Sequence, residues 1–144
     1  MSGKQPKRKE RLGVDSMGRS ELHYAANDAE LAKVQALLAG GAQPDLADDN
    51  GWTPLHFAAQ ARSLAVAEAL LAAAGAPIDA RDRDGNTPLS NAVFYSRGEG
   101  ELITLLRRHG ADATRPNAHG VSPVALARSI GNYDIAQFFA DLPQ

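Results

Sequence analysis

Glycine recurs along this chain at a nearly constant spacing, and that period constrains the fold more than any other feature. Gly18, Gly51, Gly85 and Gly120 are separated by 33, 34 and 35 residues. A period in this range indicates stacked copies of one supersecondary unit, each burying the apolar face of its neighbour. Variants of one phrase follow the glycines: Ser-Glu-Leu-His at 20–23, Thr-Pro-Leu-His at 53–56, Thr-Pro-Leu-Ser at 87–90 and Ser-Pro-Val-Ala at 122–125.

Each period predicts two helices. The phrase predicts a helix start, because Ser or Thr supplies the N-cap oxygen and the following Pro lacks only an N–H that has no helical partner. Small alanine-rich pairs come next, and a second segment then runs to Gly41, Gly75 or Gly110, where we expect a left-handed helix C-terminus. A pair of large apolar residues lies just before each of these glycines and, in the last period, near the C-terminus. These pairs predict a continuous core. They are Leu37-Leu38, Leu70-Leu71, Leu105-Leu106 and Phe138-Phe139.

Polar linkers join the periods and end in Asn-Gly, Asp-Gly or His-Gly at 50–51, 84–85 and 119–120. Asn-Gly and Asp-Gly favour hairpin turns in which both central residues take positive φ. We therefore expect one hairpin loop between successive helix pairs.

The chain resembles ankyrin repeats in the set of motifs that recurs near every 33 residues. The set is a glycine, Thr-Pro-Leu-His, an alanine pair, a leucine pair and Gly-Ala. The resemblance covers residues 15–142 and is strongest at 51–59, Gly-Trp-Thr-Pro-Leu-His-Phe-Ala-Ala. It implies an all-α repeat solenoid of four stacked units, each a helix-turn-helix plus a β-hairpin loop. We place the repeats at about 15–47, 48–81, 82–116 and 117–144, after a basic, disordered tail at 1–14.

Two departures from the pattern carry their own expectations. Repeat three has one extra residue between its helices, within 95–100, which predicts an irregular loop. Repeat four ends at Gln144 without another hairpin, so we expect a C-terminal cap. In that cap Phe138 and Phe139 pack on the preceding leucine pair, while Asp134 and Gln137 face water.

Composition excludes several classes of function. The chain has no Cys, which rules out disulfides, a thiol nucleophile and Cys-ligated metals. Its formal net charge is −2, so no global basic field holds nucleic acid. Residues 1–11 carry five basic groups and one acid, leaving the rest at −6. No run of about 18 apolar residues appears. We expect a cytoplasmic protein that contacts neither membrane nor nucleic acid and is a monomer before binding.

The residues do not favour catalysis. His23 and His56 hold equivalent places in successive repeats, roughly 8–10 Å apart by helix packing, too far for one metal ion. We interpret both as structural, bonding the neighbouring loop backbone, and we place His109 at a helix C-terminus. Gly-x-Ser-x-Gly, a Walker-type loop and Gly-x-Gly-x-x-Gly are absent. No enzyme, cofactor or metal is therefore expected, although a triad assembled from distant positions stays open.

The resemblance also implies where a partner binds: beside the repeat glycines and just after the alanine pairs. Trp52 is either a hot spot or packed on the next hairpin. We expect Tyr95 to point outward and Phe94 inward. His119 either contacts a partner or is merely solvated. The full set of candidate partner-binding residues is Asp48, Asp49, Trp52, Gln60, Arg62, Arg83, Asn86, Phe94, Tyr95, Arg97, Asn117 and His119.

Acidic residues in the second and third hairpins suggest a basic partner, although an acidic loop is also simply soluble. They are Asp45, Asp48, Asp49, Asp79, Asp82 and Asp84. At 86–98, Asn-Thr-Pro-Leu leading into Ala-Val-Phe-Tyr-Ser-Arg-Gly, and at 120–134, Gly-Val-Ser-Pro leading into Asn-Tyr-Asp, repeats three and four further resemble ankyrin-type immunity proteins of bacterial polymorphic toxin systems. This implies that the chain binds and neutralises a cognate toxin domain. The alternative is a regulatory adaptor that binds a cellular enzyme without inhibiting it.

Overall fold

Two rows of helices stack side by side in residues 12–144, the part of the chain that the computed structural model describes. Helices α1, α3, α5 and α7 pack in one row, and α2, α4 and α6 pack in the other. In these residues no β-strand forms. The all-α repeat solenoid is confirmed, and residues 1–11 of the predicted tail lie outside the described part. The elements are α1 Glu21–Asn27, α2 Leu31–Ala39, α3 Pro54–Gln60, α4 Leu64–Ala72, α5 Pro88–Phe94, α6 Glu101–Arg108, α7 Pro123–Ser129 and a 3₁₀ helix Ile135–Phe139.

The helix starts are where the repeated phrase predicts them. The first helix of each repeat has its N-cap at a Ser or Thr with an extended backbone, and Pro is the first helical residue of α3, α5 and α7. Thr87 and Ser122 accept a backbone N–H three residues on. The phrase therefore acts as a capping signal in all four places.

Left-handed glycines follow two of the helices. Gly41 and Gly110, with φ of 96° and 91°, follow α2 and α6. Gly75 lies further from its helix, because α4 already ends at Ala72 and its C-cap Ala73 is extended. The first two repeats also place Ala29 and Arg62 at φ 56° between their helices. These two side chains occupy a conformation that favours glycine.

In the last three repeats the core takes one residue of the apolar pair rather than both. Leu70, Leu106 and Phe139 are fully buried, whereas Leu71, Leu105 and Phe138 are only partly buried. Neighbouring residues on a helix point about 100° apart, so both cannot face the same core. In repeat one neither leucine is fully buried, and the buried residue of α2 is Val34.

The C-terminal cap closes the far end of the stack. Asp134 and Gln137 are exposed, as predicted, and Phe139 is buried. Arg107 of α6 donates to the Phe138 carbonyl at 2.9 Å and pairs with Asp141 at 2.7 Å, and its guanidinium lies 5.1 Å from the Phe139 ring centre. The pairing with Asp141 raises the pKa of Arg107. This arginine thus fastens the last residues to α6.

The hairpin turns differ from the prediction. Only their glycines have positive φ, for example Gly51 at 81° and Gly85 at 78°, while Asn50 and Asp84 do not. The two central residues of each turn therefore do not both adopt positive φ, and the expected turn type is wrong. Adjacent hairpins are joined by single backbone hydrogen bonds, such as Arg83 N–H to the Asn50 carbonyl at 3.0 Å. One such bond per pair is too few to make a strand ladder.

Candidate binding surface

One Asx side chain, three residues before the repeat glycine, organises each hairpin. Its Oδ1 accepts the backbone N–H groups two and four residues later, at 2.8–3.0 Å, which tightens the turn in place of a second positive φ. The sequence carries this signal, an Asx-x-x-Gly in every period, although the repeat analysis did not use it. The four residues are Asp15, Asp48, Asp82 and Asn117.

This role bears on two candidate partner-binding residues and contradicts one of them. The Asp48 side chain is only 1% exposed, because its second oxygen pairs with Arg19 at 3.1 Å, so the expectation that it faces a partner is wrong. Asn117 is half-buried and donates from Nδ2 to the Asn86 side chain at 2.9 Å. Both side chains of that amide pair are engaged within the fold.

His23 and His56, the histidines of the repeated Leu-His phrase, connect helices α1 and α3 to the hairpin of the next repeat. His23 Nε2 lies 3.0 Å from the Trp52 carbonyl, and His56 Nε2 lies 3.0 Å from the Asn86 carbonyl. Each Nδ1 accepts the N–H of its own N-cap residue, so Nε2 carries the proton and donates. Burial lowers the pKa of both histidines and keeps them neutral. Their structural interpretation is confirmed.

Trp52 packs against the next hairpin, which is one of its two predicted roles. Its indole Nε1 donates to Asp82 Oδ2 at 3.0 Å, and its ring lies 5.7 Å from that of His56 and 4.9 Å from that of Phe57. The side chain is half-buried, so one part stabilises the stack while another faces solvent.

An open cavity of about 660 Å³ lies between the second and third hairpins and helices α3 and α5. The structure brings four candidate residues together there, namely Trp52, Gln60, Arg83 and Tyr95. It also adds five residues that the sequence interpretation did not assign to the binding set: Arg19, Asn50, Phe57, Asp82 and Asp84.

Phe94 and Tyr95 point opposite to the prediction. Phe94 is 65% exposed, whereas Tyr95 is half-buried and lines the cavity. The two rings meet edge to face with their centres 4.9 Å apart. Phe94 follows the small pair of its repeat, a position that the other repeats fill with the polar residues Asn27, Gln60 and Ser129. That position faces solvent, so an aromatic residue there is exposed.

The other candidates lie around this cavity without lining it. Asp49, Arg97 and His119 are on the hairpins or the α5–α6 loop, with Arg97 and His119 exposed. His119 Nε2 is 3.8 Å from Asp84 Oδ1 of the neighbouring hairpin. Arg62 is half-buried, 3.8 Å from Glu99.

Charge along the hairpins is mixed. Asp48 and Asp82 accept several hydrogen bonds each, and Asp79 accepts the Asp112 N–H at 3.0 Å. Arg19 and Arg83 line the same cavity as Asp84. A partner therefore meets both signs of charge here rather than a uniformly acidic face.

The described residues hold no group of three or more His, Cys, Asp or Glu that could bind a metal ion. Nor do they include a helix long and apolar enough to cross a membrane.

Helix pairs joined by hairpin loops and stacked in register define the class: a repeat solenoid, whose extended surfaces bind other molecules. Residues 22–117 match the family model for ankyrin repeats in three copies, and the chain belongs to the ankyrin-repeat family. A comparison with curated proteins finds no match. Ankyrin repeats are non-enzymatic protein–protein interaction modules.

Proposed function

We propose that this chain is a non-catalytic module that binds and neutralises a cognate bacterial toxin domain. Its contact region is the aromatic surface, defined as Trp52, Phe57, Phe94 and Tyr95. The observation that carries the binding proposal is Phe94, which is 65% exposed beside an aromatic-lined cavity. A large aromatic side chain left in water next to a concavity is typical of an interaction hot spot.

Free polar groups support the same surface. Within the described residues, the Gln60 amide and the Tyr95 hydroxyl make no hydrogen bond, although both line the cavity. They can bond a partner without breaking a bond of the fold. Aromatic contact area with a few oriented polar groups is the usual composition of a specific binding site.

Two considerations support a basic toxin as the partner. Residues 12–144 carry a net charge of −6 within a chain of net charge −2, so this part of the chain favours a basic protein even though the cavity itself is mixed. Repeats three and four resemble toxin-neutralising ankyrin proteins. We further propose a cytoplasmic monomer before binding, with the repeat boundaries given above.

Residues 117–144 are proposed as a fourth, degenerate repeat. Asn117 organises its hairpin as the aspartates organise the others, and Ser122 and Pro123 start its first helix. Its second helix is replaced by the short 3₁₀ helix Ile135–Phe139, which suits a terminal cap.

Capture from the native cells tests this function. The tagged chain and a tagged Phe94→Ser variant are used in parallel, and proteins retained by the first but lost with the second are purified. The proposal expects a basic protein that binds in a 1:1 ratio and loses its toxic activity in proportion to occupancy. A captured enzyme that stays fully active when saturated would instead establish the adaptor alternative.

A further inference from the structure

A second depression lies on the α4–α6 row and shares no lining residue with the cavity of the aromatic surface. Its volume is about 570 Å³. We call it the α4–α6 groove, defined by six of its lining residues: Leu64, Glu68, Glu99, Glu101, Leu105 and Phe138.

The floor of the groove is apolar because of a glycine. Gly100 has no side chain, and a Cβ there would overlap the ring of Phe138, which occupies that space. Leu105 and Phe138 are only partly buried, and Leu64 is 37% exposed. Three apolar side chains are thus left incompletely covered at one place, where repeat three departs from the regular period.

The rim of the groove is acidic. Glu68 and Glu101 are exposed and, within the described residues, form no ion pair. Glu99 is 64% exposed at its side chain and makes only the long contact to Arg62. Arg108 is the one basic residue among those that line the groove. Three carboxylates therefore surround the apolar floor, with Arg108 on the rim and Arg62 beside Glu99.

We propose that the α4–α6 groove docks a protein segment in which Lys or Arg lies next to a large apolar residue. The apolar residue and the methylene stem of the basic residue cover Leu64, Leu105 and Phe138, while the cationic head reaches the rim carboxylates. A purely apolar segment would leave these carboxylates uncompensated, and an acidic segment would be repelled.

This docking site is separate from the proposed function, because it lies on the other helix row. Its failure would leave the role of the aromatic surface unaffected, since the two surfaces are tested by different variants.

The test selects ligands for the intact chain from a displayed library of random 12-residue peptides, in about 50 mM salt. Selected peptides are then titrated against the wild-type chain, Glu68→Lys and Leu64→Ser. Glu30→Lys is the matched control, because Glu30 is also exposed but lies in repeat one at the N-cap of α2. Phe94→Ser reports binding at the aromatic surface instead.

We expect selected peptides to carry Lys or Arg within two residues of Leu, Met or Phe. Glu68→Lys should weaken their Kd at least about fivefold, and Leu64→Ser at least about threefold, while Glu30→Lys changes it less than about twofold. The Glu68→Lys effect should shrink when salt is raised to about 300 mM.

Several results would overturn the proposal. They are the absence of any selected peptide family, peptides without basic residues, equal losses with Glu68→Lys and Glu30→Lys, or a loss only with Phe94→Ser. A synthetic peptide of residues 1–11 that binds as tightly as the selected peptides would assign the groove to this chain's own basic segment. A concentration-dependent dimer in sedimentation that Glu68→Lys abolishes would assign it to a second copy.

Discussion

Replacing His56 by leucine removes one hydrogen bond from repeat two to the third hairpin and one to its own helix N-cap, while keeping much of the buried volume. His56 is fully buried, accepts the Thr53 N–H at 3.1 Å and lies 3.0 Å from the Asn86 carbonyl, to which it donates. Leucine leaves that N–H and that carbonyl without these partners. Each buried group left without a partner costs roughly 1–3 kcal/mol, so the two together should lower the free energy of unfolding by about 2–6 kcal/mol.

Urea unfolding followed by circular dichroism measures this change from the transition midpoint and slope. His119→Leu is the matched control, since the His119 side chain is 71% exposed and makes only a long contact to Asp84. The control should stay within about 0.5 kcal/mol of wild type. A His56→Leu loss no larger than that of the control would refute the role assigned to the buried histidines.

The remaining predictions concern stability. Burial lowers the pKa of His23 and His56 in the folded chain, so the unfolded chain binds protons first as the pH falls. The urea midpoint should therefore be highest above about pH 6.5 and decline toward pH 5. A midpoint that does not change with pH would contradict this. Ala29→Gly relieves a left-handed alanine at φ 56° and should raise the free energy of unfolding by about 0.5–1 kcal/mol, whereas a decrease would show that no strain is stored there. Leu70→Ala empties a fully buried site of α4 and should lower the same free energy by roughly 2–5 kcal/mol; a nearly neutral result would mean that Leu70 is not core.

The helix framework could be predicted from the sequence because its signals are local and repeated. Thr53-Pro54 starts a helix by capping and by the fixed φ of proline, without help from distant residues. The positive φ at Gly41 ends one in the same way. The buried histidines were also predictable, since their partners are set by the repeat stack itself.

The candidate binding surface was less predictable because side-chain direction depends on neighbours in space. Phe94 and Tyr95 are adjacent, and only the packing of α5 against the rest of the stack decides which of them is exposed. Asp48 looked like a surface carboxylate, but the backbone N–H groups of its own turn and Arg19 of the previous repeat enclose it. Composition gives the charge of a loop without showing whether that charge is already paired.

The affinity of the captured partner for Phe94→Ala tests the central claim most directly. At 65% exposure, Phe94 offers on the order of 130 Å² to a partner, and covering that area is worth about 3 kcal/mol. Titration calorimetry should therefore show at least about a 30-fold weaker Kd, with an unchanged unfolding midpoint. Tyr133→Ala, which alters another exposed aromatic residue near the C-terminal end, should change Kd less than about threefold. Equal affinities for wild type and Phe94→Ala would contradict the claim that the aromatic surface binds the partner.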